Sequence, residues 1–167
     1  MDTKLTIEQI ILGLRNSGLW NKRSDIMIPN LSWGLLDYEA DFVAISKSGY
    51  MTEVEIKRSF EDFKADFSKK HKHDAEQVYY FYYCVPESII SKVIEFLDSH
   101  FEHNDRKPAV LIYDENGVVK AGGYGCRYNP GNHRKLFLEE RLQIARLGTL
   151  RFWNLLEKTF DYETRNI

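Results

Sequence analysis

The 167-residue chain is 43% hydrophobic and carries 23 basic against 25 acidic residues, a net charge of −2 with a pI near 6.2. That length suits one domain burying roughly two-thirds of its unfolded surface, and the near-neutral charge excludes attraction of the whole molecule to a polyanion, so nucleic-acid contact needs a local patch. Cys84 and Cys126 stand far apart without CxxC spacing, which excludes a zinc ribbon or disulfide framework and reads as two core thiols in a reducing compartment.

No apolar run nears the roughly 20 residues a bilayer demands, and Asp2, Lys4 and Glu8 interrupt the apolar N-terminus. The expectation is a cytoplasmic protein. Thr6 and Gln9 have the form of a capping box, Leu5 and Ile10 of a hydrophobic staple, and Gly18 stops the periodic run, which predicts a helix over 6–17. Residues 26–36 are mixed and partly extended. Asp41–Ile45 and Tyr50–Lys57 read as strands joined through Lys47-Ser48-Gly49.

Ser59 with Asp62 suggests a second capping box, and Phe60, Phe63 and Phe67 share a face, which predicts a helix over 60–72. A tyrosine-rich strand follows at 78–85. Pro86 suits a first helical position, with Ile89, Ile90, Val93, Ile94 and Leu97 behind it, so a helix is expected up to the polar stretch 100–107. Strands over 109–113 and 118–121 flank Asn116-Gly117, a favoured tight-turn pair. A long amphipathic helix over 134–160 closes the chain despite Gly148. This order predicts an α/β sandwich around a mixed sheet in a single domain over 1–167.

The chemistry concentrates at Asp41, Glu55 and Lys57. An acid, any residue, then lysine occurs four times in the chain, at Asp2, Glu55, Asp62 and Asp105. Only Glu55 and Lys57 fall on a predicted strand, where the period of two points both to one side. A three-residue hairpin loop with Gly49 left-handed pairs 46 with 50 and so sets 41 opposite 55. Two carboxylates about 5 Å apart repel, and Glu53 on the same face adds to the repulsion. A divalent cation relieves that penalty, and Mg²⁺ or Mn²⁺ suits hard oxygen ligands. Asp41, Glu55 and the Ile56 carbonyl are the candidate ligands, and Lys57 the residue to position a nucleophile or stabilise transition-state charge. The plain alternative is a surface hairpin where Lys57 pairs with Glu55 or Glu53.

Glu39-Ala-Asp41-Phe-Val-Ala-Ile, the turn, Thr52-Glu-Val-Glu-Ile-Lys-Arg-Ser59 and Asp62-Phe-Lys-Ala-Asp66 resemble the PD-(D/E)XK nuclease superfamily, and within it the MmcB-like DNA repair proteins, most densely over residues 28–86. The resemblance implies a restriction-endonuclease-like core and Mg²⁺-dependent cleavage of DNA, in repair or in phage or mobile-element DNA processing. Asp41 then matches the motif aspartate, Glu55 the second acid and Lys57 the lysine. Ala40 stands where proline is usual, and Glu8 is a candidate for an acid that the first helix sometimes supplies. A catalytically silent DNA-binding module with the same fold is the alternative. Many such enzymes cut two strands with two sites, which makes a homodimer one arrangement open to the chain.

Residues 57–73 hold six basic against three acidic residues. Arg58, Ser59, Lys69, Lys70, His71, Lys72 and His73 are candidate DNA-backbone contacts, although basic residues in a last helical turn also complement the helix dipole. Glu39, Glu53 and Gln77 are possible accessory residues. Tyr79–Tyr83 reads as a central strand buried on both faces in preference to a base-stacking platform. His100 and His103 read as solvated loop residues, and Arg141, Arg146 and Arg151 as scattered around the last helix.

Overall fold

The computed structural model describes residues 4–32, 35–69, 73, 75–101, 107–124 and 133–165, with side chains up to residue 157. The elements are α1 (Ile7–Asn16), β1 (Ile26–Leu31), β2 (Ala40–Ile45), β3 (Met51–Ile56), α2 (Phe60–Asp66), β4 (Val78–Pro86), α3 (Ile90–His100), β5 (Ala109–Tyr113), β6 (Val119–Ala121) and α4 (Leu138–Arg165). The six strands lie side by side in chain order. The β3–β4 and β4–β5 pairs are parallel and the others antiparallel, so the sheet is mixed.

Strand alternation sorts the core into two layers. Phe42, Ala44, Val54 and Ile56 pack with Ile10 and Leu14 of α1 on one face. Val43, Ile45 and Met51 pack with Phe63 of α2, Val93 and Leu97 of α3 and Ile144 of α4 on the other. The expected α/β sandwich is the architecture found.

The first hairpin has the expected register. Phe42 pairs with Val54 and Ile45 with Met51, the Ser46 N–H donates to the Tyr50 carbonyl, and Gly49 takes a φ of +90°. The second hairpin repeats this design. In place of a tight Asn116-Gly117 pair, Asp114 N–H donates to the Val118 carbonyl across a three-residue loop in which Gly117 has a φ of +77°. The Asp114 side chain accepts from the Asn116 and Val118 N–H groups, which draws the extra residue into the turn.

Three helices differ from expectation. Helix α2 stops at Asp66, six residues early, because Phe67, Ser68 and Lys69 close tighter turns onto the Lys64, Ala65 and Asp66 carbonyls. Pro86 is the last residue of β4, paired with Tyr113, and a 3₁₀ turn over Glu87–Ile89 separates it from α3. Helix α4 starts at Leu138, since the Glu140 carboxylate accepts the Phe137 N–H and forks onto Arg134, capping the helix there. His100 belongs to the end of α3, stacked on Phe96. His103 and Cys126 lie outside the described residues, whereas Cys84 is a buried thiol as expected, its pKa pushed up by burial. Among the described residues no helix is long and apolar enough to cross a membrane.

Gly13 is where α1 meets the second hairpin most closely. A Cβ there would lie 2.0 Å from the Gly117 carbonyl oxygen, a backbone atom that cannot step aside. Gly13→Ala should therefore destabilise the protein by about 2–3 kcal/mol, read as a lower thermal midpoint.

Candidate active site

Asp41, Glu53, Glu55 and Lys57 sit on the sheet face that α2 covers. Continuing the β2–β3 register past Phe42 and Val54 puts Asp41 opposite Glu55. Asp41 Oδ2 accepts the Ile56 N–H at 2.8 Å, so its carboxylate lies against the end of β3. Two neighbouring strands hold Lys57. Its N–H donates to the Cys84 carbonyl of β4, and its carbonyl accepts from the Tyr113 hydroxyl of β5. The site thus lies at the carboxyl end of a parallel strand, where open α/β sheets place ligands.

The expected residues meet several others. Lys57, only 2% exposed, donates from Nζ to Glu55 Oε1 and to Asp66 Oδ1, both at 2.7 Å. Lys69 reaches back from the tight turn after α2 to the same two oxygens, at 3.4 and 2.7 Å, with 41% of its side chain exposed. His73 is buried between Glu53 Oε1, at 2.6 Å from Nδ1, and Asp66 Oδ2, at 2.9 Å from Nε2. The Tyr83 hydroxyl donates to Asp66, the Tyr38 hydroxyl to Glu53, and Phe81 stacks on the His73 ring.

The charges in this cluster decide where a cation fits. Four acids, Asp41, Glu53, Glu55 and Asp66, face Lys57, Lys69 and His73. Burial alone would raise the Asp66 carboxyl, but hydrogen bonds from His73, Lys57 and Lys69 outweigh it and hold Asp66 well below the usual range. Burial likewise opposes charge on His73, yet its bonds to Asp66 and Glu53 raise it to about 9, so at neutral pH the imidazole is a cation.

Among the described residues Asp41 has no such partner. Burial, and then the nearby Glu55 charge, raise its carboxyl to about 6 against the Ile56 hydrogen bond. Beside it, Glu55 Oε2 is buried with no hydrogen-bond partner among the described residues. An orphaned carboxylate oxygen next to a second under-compensated carboxylate fits a hard divalent cation. Glu53, Glu55 and His73 also offer ligand atoms within 4.8 Å of one another. Both ring nitrogens of His73 are already engaged by Glu53 and Asp66, however, so the Asp41 and Glu55 pair, with an unengaged oxygen, is the better cradle.

Not every candidate joins the cluster. Glu8 lies on α1, across the sheet. Glu39 is exposed and Gln77 half-buried, and neither hydrogen-bonds to the cluster. Ser59 caps α2 by accepting the Asp62 N–H, and Arg58 is exposed beside it. His73 is interior, so it is removed from the surface patch expected to grip a DNA backbone. Lys70, His71 and Lys72 lie outside the described residues.

Asp66, Tyr38 and Tyr83 are the members that single-residue reading missed. The spacing from Phe63 to Asp66 was the available signal, since positions three apart share a helix face and Phe63 was already assigned to the core.

No family model and no curated protein matches the chain. Among solved structures it is similar to the SPO1766 protein of unknown function from Silicibacter pomeroyi, with a TM-score of 0.57 and 15% identity over 96% of this chain and 95% of that one. At this identity the likeness shows a shared α/β fold over nearly the whole of both chains.

Proposed function

We propose that the chain is a metal-dependent nuclease that hydrolyses phosphodiester bonds in DNA, built on a restriction-endonuclease-like fold. The observation that carries this reading is Glu55 Oε2, a buried carboxylate oxygen with no donor among the described residues, on the strand face shared with Asp41 and Lys57. Asp41 and Glu55 would hold Mg²⁺ or Mn²⁺. When bound, such an ion polarises the phosphodiester and lowers the pKa of a coordinated water.

The residues of the chain do the rest. Lys57 spends two N–H groups on Glu55 and Asp66, which aims its ammonium and leaves the third N–H for a phosphate oxygen or an attacking water. The Ile56 N–H fixes the Asp41 carboxylate. Asp66, held by four donors, keeps Lys57 in place. Lys69, half-exposed at the rim, is the cation that could leave Glu55 to a bound ion and would then be free for the DNA backbone. A role in repair, or in phage or mobile-element DNA processing, rests on the resemblance of residues 28–86 to MmcB-like proteins.

The test is incubation of supercoiled plasmid with the protein and Mg²⁺ or Mn²⁺, run beside Lys57→Ala. Nicking by the wild type alone is expected. Persistent cutting by the variant, or intact plasmid with both metals, would overturn the reading. A second reading, a catalytically silent DNA-binding module, is favoured by the ion pairs that already satisfy Lys57. It requires DNA binding that ignores metal and leaves plasmid intact.

A further inference from the structure

Helix α4 turns one face to the sheet and another to solvent. The first is anchored by Ile144 in the core, by Gly148 against Ile28, by Arg141 on the Lys47 carbonyl, and by Arg151 on the Pro29 carbonyl and the Ser32 hydroxyl. On the second, Leu138, Leu142, Leu150, Phe152 and Trp153 are each 48–61% exposed. This stripe continues onto a shallow apolar groove between α4 and β1, the free edge strand, lined by Met27, Pro29, Ala145, Thr149 and Phe152.

We infer that this face joins two copies of the chain in an antiparallel α4–α4 dimer. Two observations select a second copy as the occupant. The first is area. At roughly 150–250 Å² for a large side chain, five that are about half exposed present on the order of 500 Å² of apolar surface. That is more than half of the ~800 Å² per partner of a stable interface and lies toward the upper end of what monomers leave bare.

The second is charge. Exposed Arg146 and Glu157 share one side of the stripe, between Trp153 and Leu150, about three helical turns apart. A two-fold axis crossing α4 midway between them brings Arg146 of each copy against Glu157 of the other, on both sides at once, with Thr149, Phe152 and Trp153 at the centre. Self-complementarity of this kind is what a two-fold interface requires. Pairing through the edge of β1 is not available, because Pro29 has no N–H to offer and its carbonyl is taken by Arg151.

Sedimentation velocity on the whole chain tests this. The wild type is expected to sediment as a dimer, twice the 19.7 kDa chain mass, at micromolar concentration. Phe152→Glu with Trp153→Glu, at exposed positions that leave the core intact, should weaken self-association at least about 30-fold, as expected for central aromatic anchors. Arg146→Glu should also weaken it, and adding Glu157→Arg should restore it. A monomeric wild type, a dimer indifferent to the Phe152 and Trp153 changes, or a charge swap that fails to rescue would each overturn the inference. None of these readouts depends on metal or DNA cleavage.

Discussion

Asp41→Asn is expected to stabilise the metal-free protein while removing the DNA cleavage proposed for it, two effects of opposite sign from one substitution. The Asp41 carboxyl is raised from 3.8 to about 6 by burial and by Glu55, so the folded state binds that proton more tightly than the unfolded chain does. Its stabilising contribution is complete below pH 3.8 and is lost as pH rises through about 6. Above that, the ionised side chain loads the fold by up to about 3 kcal/mol. Asparagine keeps an oxygen for the Ile56 N–H and carries no charge. Chemical denaturation from pH 4 to 8 should show the variant gaining on the wild type through about pH 6 and then levelling off.

The same change removes a proposed ligand, so Mn²⁺ should raise the thermal midpoint of the wild type but not of Asp41→Asn. Cleavage should fall by at least about 10²-fold, beyond the loss typical of an outer-shell partner. A variant that is less stable at pH 8, or that still cuts, would refute the assignment of Asp41.

Asp66→Ala is expected to be the most damaging single change in the cluster. It strips Lys57, Lys69, His73 and Tyr83 of one shared acceptor and leaves buried cations uncompensated, at a cost of about 3–5 kcal/mol. Its pH signature follows from the two shifted groups. Asp66 is depressed, so its contribution is present above the unfolded value of 3.8 and drains away as the solution is acidified below it. His73 is raised, so its contribution is complete below 6.5 and is lost as pH climbs through about 9. Wild-type stability should therefore fall between pH 7 and 9, and His73→Gln should flatten that decline. An unchanged alkaline limb in the variant would contradict the buried cation.

Most of this arrangement was legible where short-range rules dominate. Loop length and one glycine set the register of the first hairpin, and register fixes which side chains share a face, so the meeting of Asp41 and Glu55 could be reasoned before any coordinates. The fold class followed from the order of apolar runs.

Tertiary bonds set what was missed. Nothing local says that α2 ends at Asp66. At that end the chain tightens and Lys69 turns back onto the Asp66 carboxylate, a contact made within the charge cluster. His73 reads as one more basic residue in a basic run; its position against Tyr38 and Phe81 makes it interior, and Glu53 and Asp66 make it a cation. Pro86 misled because a residue suited to open a helix is equally able to finish a parallel strand whose next N–H is not needed.

Seven residues make a helix too short to persist in water by itself. Helix α2 survives because Phe63 is locked into the hydrophobic layer while Asp66, one turn on, is locked into the ions. The geometry of the charge cluster and the integrity of the core are therefore a single cooperative unit. A fluctuation that releases this helix scatters the acids and the lysine together, so a partly opened chain loses the whole cluster at once.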